Sequence, residues 1–485
     1  MIDIYTPDTP NWTKAITDCG LNVRHHPGPN PVHRLGLATI RGQAAPVFVS
    51  TKDVEHYQQG WMNSILVQCT QAGDWYLAMI EDAYLIHPRL LDVIGMVHPW
   101  WDTEDLISQC QKAGGAALSV QNALTFSQEE FLSSIIWQGP MLDLSGYAND
   151  TYNLVQWTPD VKLQPIQWGS YTVRRSTAEQ KRLRLRSQGA AEPRVFIQSG
   201  FPDHFQPQEI YHVGRTMYEA SKLPDLWAEA VKVVDELWVP SQFCVDLFSR
   251  YHDNVHLVPS LIDVVTFAPR PESFGTLSER KTCKFLFLGE WIERKNWRFT
   301  LDVLSAAFTD EPVELIVKTH SSLGKSTEII NQEIKERVSL PVSRIVGILN
   351  DTELSWLYNS CHCLLHFAHS EGFGRPVAEM LACGGEVLSH GETGLMDVQP
   401  DPLPATWVQI PKEYGAELPQ MDGSDYQWCD IDFDVAVEAV RESYRRWESG
   451  QRRDRRQFVI EKFSGPIVYE SIYQRLTEIL EANHG

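Results

Sequence analysis

Two carboxylates stand where a glycine-rich loop leads into a predicted helix, in the segment Ser370-Glu-Gly-Phe-Gly-Arg-Pro-Val-Ala-Glu379. Pro376 suits the first turn of that helix, and the two glycines before it allow the backbone close to a ligand. Free N–H groups and the positive dipole end of such a helix suit a phosphate. Glu371 and Glu379 suit hydroxyl groups, because carboxylates accept hydrogen bonds. The alternative is that Glu371 caps the helix and Glu379 is an exposed helical charge.

From Ser133 onward, apolar strands alternate with helical segments, which predicts parallel sheets covered by helices. Three segments are predicted as strands of a first sheet and three as strands of a second: Ser134–Trp137, Arg194–Gln198 and Glu236–Val239, then Cys283–Gly289, Val313–Val317 and Cys361–Leu365. The proline-rich stretch 259–271 between them reads as a linker. Two final helices follow, with apolar faces made of Val437, Val440, Tyr444 and Trp447, and of Val468, Ile472, Leu476 and Ile479.

The bulk properties restrict the classes of partner. A chain of 485 residues predicts two or three domains. Its net charge of −21 repels nucleic acid and anionic membranes. A nucleic-acid acceptor is therefore possible but not favoured, since it needs a local basic patch. The basic stretches 174–186 and 445–456 are candidates for one, or are solvated charged faces.

Cysteine usage and hydropathy favour a cytoplasmic protein. The nine cysteines are scattered without a paired C-x-x-C zinc spacing, so we expect reduced, buried thiols. The first residues lack the basic and apolar regions of a signal peptide. No apolar run approaches the length of about 18 residues that a transmembrane helix requires, so we expect no membrane span.

Glu371 and Glu379 within an E-G-F-G-x-P frame resemble the donor signature of glycosyltransferase family 4, whose members are retaining enzymes of the GT-B fold. Other segments resemble the family's in the same order: 139–146, 235–243, 258–269, 287–295 and 381–388. The resemblance covers about residues 133–480. It implies two Rossmann-like α/β domains facing across a cleft, an acceptor-side domain at 133–265 and a nucleotide-sugar-binding domain at 266–456. Residues 457–485 would form a helix that packs back on the first of these domains.

The resemblance also implies roles for particular residues. Lys295 would neutralise the donor diphosphate, and the alternative is a surface lysine. Glu379 would hold the ribose hydroxyls. Glu371 would contact the transferred sugar and, with Lys295, is the candidate for catalysis. The other predicted donor-binding residues are Arg294, Gly372, Phe373, Gly374, Gly139, Gly146 and Glu290.

One position departs from the family pattern. Many members have an arginine five residues before the lysine, where this chain has Glu290. Arg294 stands beside Lys295 and could replace the missing charge, and Glu290 could be a structural residue. In the first domain, Glu219 matches a recurrent segment with a structural or an acceptor-side role.

Two histidines of the first domain are the remaining candidate site residues. His204 and His212 are possible sugar or acceptor contacts, although a lone histidine is more often a satisfied surface or core residue.

A cationic lysine, a helix dipole and glycine-loop amides can stabilise a leaving diphosphate without a metal, so we expect metal-independent transfer of a hexose or pentose. The resemblance implies retention of anomeric configuration, with the donor phosphate receiving the acceptor proton.

The expected substrate is a nucleoside-diphosphate sugar, with a UDP-sugar first and a GDP-sugar second, and no tightly bound cofactor. The acceptor stays open among glycans, lipids, proteins and modified nucleic-acid bases. Two alternatives remain: a catalytically silent nucleotide-sugar-binding scaffold, which Glu290 would suit, and another GT-B enzyme such as an epimerase or a phosphorylase.

Residues 1–132 are predicted to form an accessory domain. The stretch from Gly73 to Pro88, which follows Asn63, faintly resembles the acidic nucleotide–metal segment of the GT-A fold. Its acidic pair Glu81-Asp82 lacks the final aspartate of that pattern, and the block is short for the fold. A divergent domain that recognises the acceptor or a partner is therefore the favoured interpretation.

Overall fold

The computed structural model describes most of residues 134–482 and, among residues 1–133, the backbone of seven strands. The gaps are residues 144, 159–160, 167, 169–174, 176, 188–192, 272–273, 276, 278–280, 320–325, 413 and 415–424. The seven strands are β1 (Ile2–Tyr5), β2 (Val23–His26), β3 (Leu37–Ile40), β4 (Gln43–Phe48), β5 (Tyr76–Ile80), β6 (Ala83–Ile86) and β7 (Ala116–Ser119). Strands β1 and β2 pair in parallel, and the others form a mixed sheet in the order β3-β4-β6-β5-β7. The acidic pair Glu81-Asp82 and Asn63 lie outside the described residues.

A six-stranded parallel sheet with helical connections follows. Its elements are β8 (Ile135–Pro140), α1 (Gly146–Trp157), β9 (Lys162–Ile166), α2 (Thr177–Arg186), β10 (Val195–Ser199), β11 (Tyr211–Arg215), α3 (Asp225–Ala230), β12 (Glu236–Val239), α4 (Gln242–Phe248) and β13 (Val255–Leu257). The strand order is β13-β12-β11-β10-β8-β9. The chain therefore winds outward from β8 to β9, and then returns past β8 to β10. This reversal is a topological switch point, where open α/β sheets bind ligands at the carboxyl ends of their strands.

A second parallel sheet contains the residues from 283 to 388. Its elements are β14 (Cys283–Leu288), a 3₁₀ turn (Glu293–Lys295), α5 (Trp297–Ala307), β15 (Val313–Lys318), α6 (Thr327–Arg337), β16 (Val342–Ile345), α7 (Asp351–Ser360), β17 (Cys363–Leu365), α8 (Arg375–Ala382) and β18 (Glu386–Leu388). The strand order is β16-β15-β14-β17-β18, so this sheet reverses direction between β14 and β17. All six predicted strands form, with small differences at their ends.

The remaining elements are a 3₁₀ helix (Thr393–Asp397), the antiparallel strands β19 (Ala405–Gln409) and β20 (Gln427–Ile431), and the helices α9 (Phe433–Glu448), α10 (Arg456–Phe463) and α11 (Gly465–Ala482). The apolar faces predicted for the two long helices are confirmed, because their members are buried or partly buried. None of the helices in the described residues is long and apolar enough to cross a membrane. The six cysteines described are free and buried, as expected.

The last helix packs on the first sheet rather than on the second. Residues Val468, Ile472 and Leu476 of α11 join the core that contains β8, β10 and α1. Arg475 forms a bidentate ion pair with Glu236 of β12, with its shorter contact at 2.7 Å. Glu236 is fully buried. Loss of Arg475 would therefore destabilise the fold, because a buried carboxylate without its partner is costly.

Arginines of the stretch 445–456 bind structural partners. Arg446 pairs with the buried Glu386, Arg455 contacts Asp401 at 2.8 Å, and Arg456 donates to the carbonyl of Phe267 at 2.9 Å. Arg446 thus connects α9 to β18, and Arg456 connects α10 to the linker. Because the side chain of Arg455 is 42% exposed, the interpretation as a solvated charged face still applies to part of this stretch.

The hairpin of β19 and β20 braces the two domains. Although it follows the second sheet, Ile410, Tyr426 and Trp428 are buried in a core with Trp227 and other residues of the first domain. Ser221 and Gln427 exchange two hydrogen bonds, at 3.1 and 2.9 Å. The orientation of the domains therefore depends on a hairpin that the strand and helix pattern did not predict.

Candidate functional site

The central charges follow two neighbouring strands of the second sheet. Lys295 lies seven residues after the end of β14, and Glu371 lies six residues after the end of β17. These strands are paired and flank the point at which the sheet reverses. Loops at that position diverge on either side of a crevice, which is where open α/β sheets bind ligands. The fold thus brings together two residues that are 76 positions apart.

Glu371 is the hub of a buried ionic cluster. Its Oε1 pairs with Lys295 Nζ, and its Oε2 accepts a hydrogen bond from Arg294 NH1 at 3.2 Å. Arg294 also donates to the carbonyl of Ser370 at 2.9 Å. Glu371 is only 7% exposed, and the side chains of Lys295 and Arg294 are 13% and 12% exposed. The interpretation of Lys295 as a surface residue is therefore wrong.

The protonation of the cluster follows from burial and charge. Burial raises the pKa of Glu371, but Lys295 and Arg294 outweigh that effect and hold its pKa well below the usual range. Burial lowers the pKa of Lys295, against the opposing effect of Glu371. For Arg294, burial lowers the pKa, yet Glu219, Glu371 and Glu290 together raise it. Glu371 is therefore a carboxylate at neutral pH, and both cations face negative charge before any ligand binds.

The loop between Glu371 and α8 needs its glycines. Gly374 begins the helix with φ of 93°, and a Cβ there would lie 2.4 Å from Leu395 Cδ2. At Gly372 a Cβ would lie 3.0 Å from the side chain of Met217 in the first domain. Phe373 between them is 2% exposed. The loop is thus a close-packed segment that presents backbone N–H groups at a helix N-terminus.

Thr393 supports this loop and was not predicted. Its hydroxyl accepts a hydrogen bond from the backbone N–H of Glu371 at 3.2 Å, and the Gly394 N–H donates to the Glu371 carbonyl at 2.8 Å. Thr393 has φ of 56°, a left-handed conformation that is costly for a β-branched residue. Such strain persists where the surroundings impose it, commonly beside functional sites.

Glu379 lies on the buried face of α8. Its Oε2 accepts a hydrogen bond from Tyr358 at 3.0 Å, and its Oε1 contacts Arg375 at 3.1 Å. Arg375 in turn donates to the carbonyl of Leu261, in the linker, at 3.0 Å. Glu379 is 6% exposed, so the interpretation of an exposed helical charge is wrong. The alternative that Glu371 caps the helix is also wrong, because Gly374 occupies the N-cap position.

The first domain reaches this site through loops at the carboxyl ends of β11 and β12. Glu219 Oε1 lies 3.9 Å from Arg294 NH2. Ser241 donates to the Gly372 carbonyl at 2.8 Å, and the backbone N–H of Gln242 donates to Asp397 at 2.6 Å. The carboxyl ends of both sheets therefore face each other, with the ionic cluster at the boundary between the domains.

The other predicted residues lie at different distances from the cluster. Burial lowers the pKa of both Arg294 and Lys295, and the negative charge of Glu290 opposes that effect, so Glu290 lies close to both. Gly139 is part of β8 and packs against Ser199, and Gly146 is the first residue of α1, with open space beside it. The side chains nearest to Gly139 are those of Ser199 and Thr151, both in the first domain.

The two histidines predicted as site residues have different environments. His204 is exposed and lies beside the rings of Trp168 and Phe201. His212 is 1% exposed between Phe196 and Phe205, and burial lowers its pKa to about 4. Because it stands at the start of β11, away from the carboxyl edge, the structure does not bring His212 to the site.

His366 is a close neighbour of the cluster that was not predicted. Its Nε2 lies 3.0 Å from Glu371 Oε1. Burial lowers its pKa, against the influence of Glu371. Its position directly after β17 is the signal that could have identified it, since residues there face the switch point.

Asp430 and Asp432 also bear on the chemistry, because their D-x-D spacing is one that metal-dependent glycosyltransferases use. Asp432 caps α9 through the backbone N–H groups of Asp434 and Val435. Asp430 lies 2.5 Å from His369 Nδ1. No group of three or more potential metal ligands occurs among the residues that the structure describes. The two aspartates thus have structural partners, and the prediction of metal-independent transfer stays a prediction.

Comparison with known proteins bears on the fold. No protein-family model matches the chain, and no curated protein matches it in sequence. Among solved structures, HepE from Anabaena in complex with UDP and glucose has a TM-score of 0.53 and 10% identity, over 71% of this chain and 99% of that one. The chain has the GT-B fold. The prediction of two Rossmann-like domains is thereby confirmed.

Two further solved structures have lower TM-scores with this GT-B chain. Sucrose-phosphate synthase from Thermosynechococcus elongatus has a TM-score of 0.47 and 12% identity, over 75% of this chain and 94% of that one. A glycosyltransferase from Rickettsia africae has a TM-score of 0.49 and 10% identity, over 72% and 99%. Identities of 10–12% do not bear on the activity of this chain.

Proposed function

We propose that this protein is a retaining glycosyltransferase that transfers a sugar from a nucleoside-diphosphate sugar, foremost a UDP-sugar, to a hydroxyl acceptor. The observation that carries the proposal is the ionic cluster of Glu371, Lys295 and Arg294 beside the N-terminus of α8. It combines cations and backbone N–H groups for a diphosphate with a carboxylate for sugar hydroxyls. It lies at the switch point of the sheet, facing the other domain.

In this proposal, Lys295 and Arg294 bind the diphosphate and Glu371 contacts the transferred sugar. Glu379 binds the ribose hydroxyls after exchanging one of its contacts with Tyr358 or Arg375. The bond from the anomeric carbon to the diphosphate breaks while the acceptor oxygen bonds to the same face of that carbon, and the acceptor proton passes to the released phosphate. The cations act most strongly on the charge that develops on the leaving diphosphate. No metal is required in this scheme.

In the same proposal, each of the two domains has one part of the function. Residues 133–265 form the acceptor side, residues 266–456 bind the donor, and the C-terminal helix returns to the first domain. The buried, reduced thiols support the cytoplasm as the proposed compartment. The likeness to family 4 supports the retaining mechanism, and the UDP and glucose in the HepE complex support a UDP-sugar donor.

The direct test is release of UDP from UDP-glucose by the purified full-length protein, with and without a panel of acceptors. Lys295→Met keeps the volume and the apolar stem of the side chain but removes its charge, so we expect UDP release to fall at least about 100-fold, as for other lost transition-state contacts to charge. Lys232→Met, at an exposed lysine, is the matched control and should keep full activity. NMR of the product gives its anomeric configuration.

Three results would contradict the proposal. Equal turnover by Lys295→Met and the wild type would show that the ionic cluster has no role in the reaction. An inverted product would remove the retaining mechanism. Binding of UDP, without release of the corresponding nucleoside diphosphate from any of the UDP-, GDP- and ADP-sugars, would identify a nucleotide-sugar-binding protein instead.

A further inference from the structure

Four aromatic side chains gather at the carboxyl edge of the first sheet. Tyr147 and Trp168 have ring centroids 5.1 Å apart, and Phe201 lies 5.3 Å from Tyr147 and 4.3 Å from Trp168. His204 lies 5.8 Å from Trp168. We call Tyr147, Trp168, Phe201 and His204 the aromatic group. His204 is exposed and the other three are partly buried, so part of the group's ring surface faces solvent.

The position of the aromatic group is that of a ligand site. Tyr147 follows β8, Trp168 comes two residues after β9, and Phe201 comes two residues after β10. Strands β8 and β10 are the pair between which this sheet reverses direction. Because connections leave such a point in opposite directions, a crevice opens there at the carboxyl ends of the strands. The second sheet has its ionic cluster at the equivalent place.

The aromatic group is connected to the donor side by direct contacts. The Tyr147 hydroxyl donates to the Met217 carbonyl at 2.9 Å and accepts from the Met217 N–H at 3.1 Å. The Met217 side chain packs on Gly372, next to Glu371. Behind the group, Phe201 packs on Trp227, which is fully buried, with 5.2 Å between ring centroids. The rings therefore stand on a rigid support beside the proposed transfer centre.

We propose that the aromatic group is the acceptor subsite and that it binds a neutral sugar ring by stacking. The C–H face of a pyranose is apolar and slightly positive, so it complements the negative face of an aromatic ring. Burial and the carboxylate of Glu219 raise the pKa of Tyr147, so negative charge acts on the group, and the chain has a net charge of −21. A phosphorylated lipid or a nucleic acid would meet repulsion from this negative charge. This inference rests on the proposed function and adds the class of acceptor to it.

The experiment measures transfer from UDP-glucose to maltotetraose and to cellotetraose by the full-length protein. Trp168→Ala should raise the acceptor KM about tenfold, because an aromatic contact contributes up to roughly 1.5 kcal/mol beyond area burial. Trp168→Phe keeps a stacking face and should stay within about threefold of the wild type. His204→Ala, at the exposed edge, tests the group without touching its packed side. The donor KM and the Kd for UDP should not change in any of these variants.

Trp407→Ala is the matched control, because Trp407 is a partly exposed tryptophan outside the group, with 38% of its surface accessible. It should leave the acceptor KM unchanged. An unchanged acceptor KM in both Trp168→Ala and His204→Ala, with normal UDP binding, would overturn the subsite and leave the glycosyltransferase proposal intact. Transfer to an oligonucleotide or a phospholipid, with neither neutral oligosaccharide accepted, would overturn the class of acceptor. Failure of the wild type to bind UDP would instead remove the proposed function.

Discussion

Glu371→Gln should make the protein less stable and yet bind UDP more tightly. The Glu371 carboxylate compensates two buried cations, with its contact to Arg294 at 3.2 Å and its closest contact to Lys295. Glutamine keeps the shape and part of the hydrogen bonding but removes the charge. The two cations are then left with less compensation, and the UDP diphosphate can supply the missing anion.

The magnitude follows from the geometry. Two unit charges 3.2 Å apart attract with about 5 kcal/mol at an effective dielectric constant of about 20. Part of this attraction is offset in the wild type by the cost of burying the carboxylate. Loss of one partner of a buried ion pair costs about 3–5 kcal/mol. We expect about 3 kcal/mol, the lower end of that range, because Arg294 keeps Glu219 at 3.9 Å. The Tm should fall by about 6 °C or more for a domain of this size.

The pH dependence of this difference has a definite sign. The pKa of Glu371 is depressed in the folded state, so its stabilising contribution is present above the ordinary pKa of glutamate, about 4.3. That contribution is lost as the pH falls through the folded-state pKa. The gap in stability between the wild type and Glu371→Gln should therefore be full at pH 7 and should narrow below about pH 4.3.

The assay is titration calorimetry with UDP. If the diphosphate restores about half of the lost stabilisation, Kd falls about tenfold in Glu371→Gln. The matched variant is Glu379→Gln, since Glu379 is buried to a similar extent, at 6% against 7% exposed. There we expect weaker UDP binding, because a ribose contact is lost. Weaker binding of UDP by Glu371→Gln than by the wild type would refute the reasoning, since Lys295 and Arg294 would then not bind the diphosphate of UDP.

Three further predictions concern the framework. Trp428→Leu leaves a cavity under the hairpin, so it should cost about 3 kcal/mol and enlarge the radius of gyration by small-angle scattering. The exposed Trp407→Leu should change neither. His212→Phe should be more stable than the wild type at pH 5 by urea unfolding. With its pKa lowered to about 4, the buried histidine costs up to about 3 kcal/mol as the pH falls from 6.5 to 4, and phenylalanine cannot titrate. Gly374→Ala should lower the Tm and weaken UDP binding, since its φ is 93°, whereas Gly146→Ala, at an open helix position, should not lower the Tm. An equal effect of the two alanines would contradict the steric argument.

The sequence predicted the elements well because those signals are local. Continuous apolar runs such as 285–288 mark strands of a buried parallel sheet, and the spacing of Val468, Ile472 and Leu476 marks the buried face of a helix. The glycine loop before α8 could likewise be predicted from the sequence, since turn and helix-start preferences extend over a few residues. Residues Glu371 and Glu379 could therefore be selected, together with the kind of group each can bind.

The tertiary structure decided which side chains meet. Glu371 faces Lys295 across 76 positions because the strands before them are neighbours, and no periodicity specifies that pairing. The same holds for Trp428, which packs into the other domain, and for the aromatic group, whose members follow three separate strands. Burial also decides the charge state: whether a carboxylate caps a helix, faces solvent or holds two cations depends on the distance to its partners and on the loss of water, and both are properties of the folded chain.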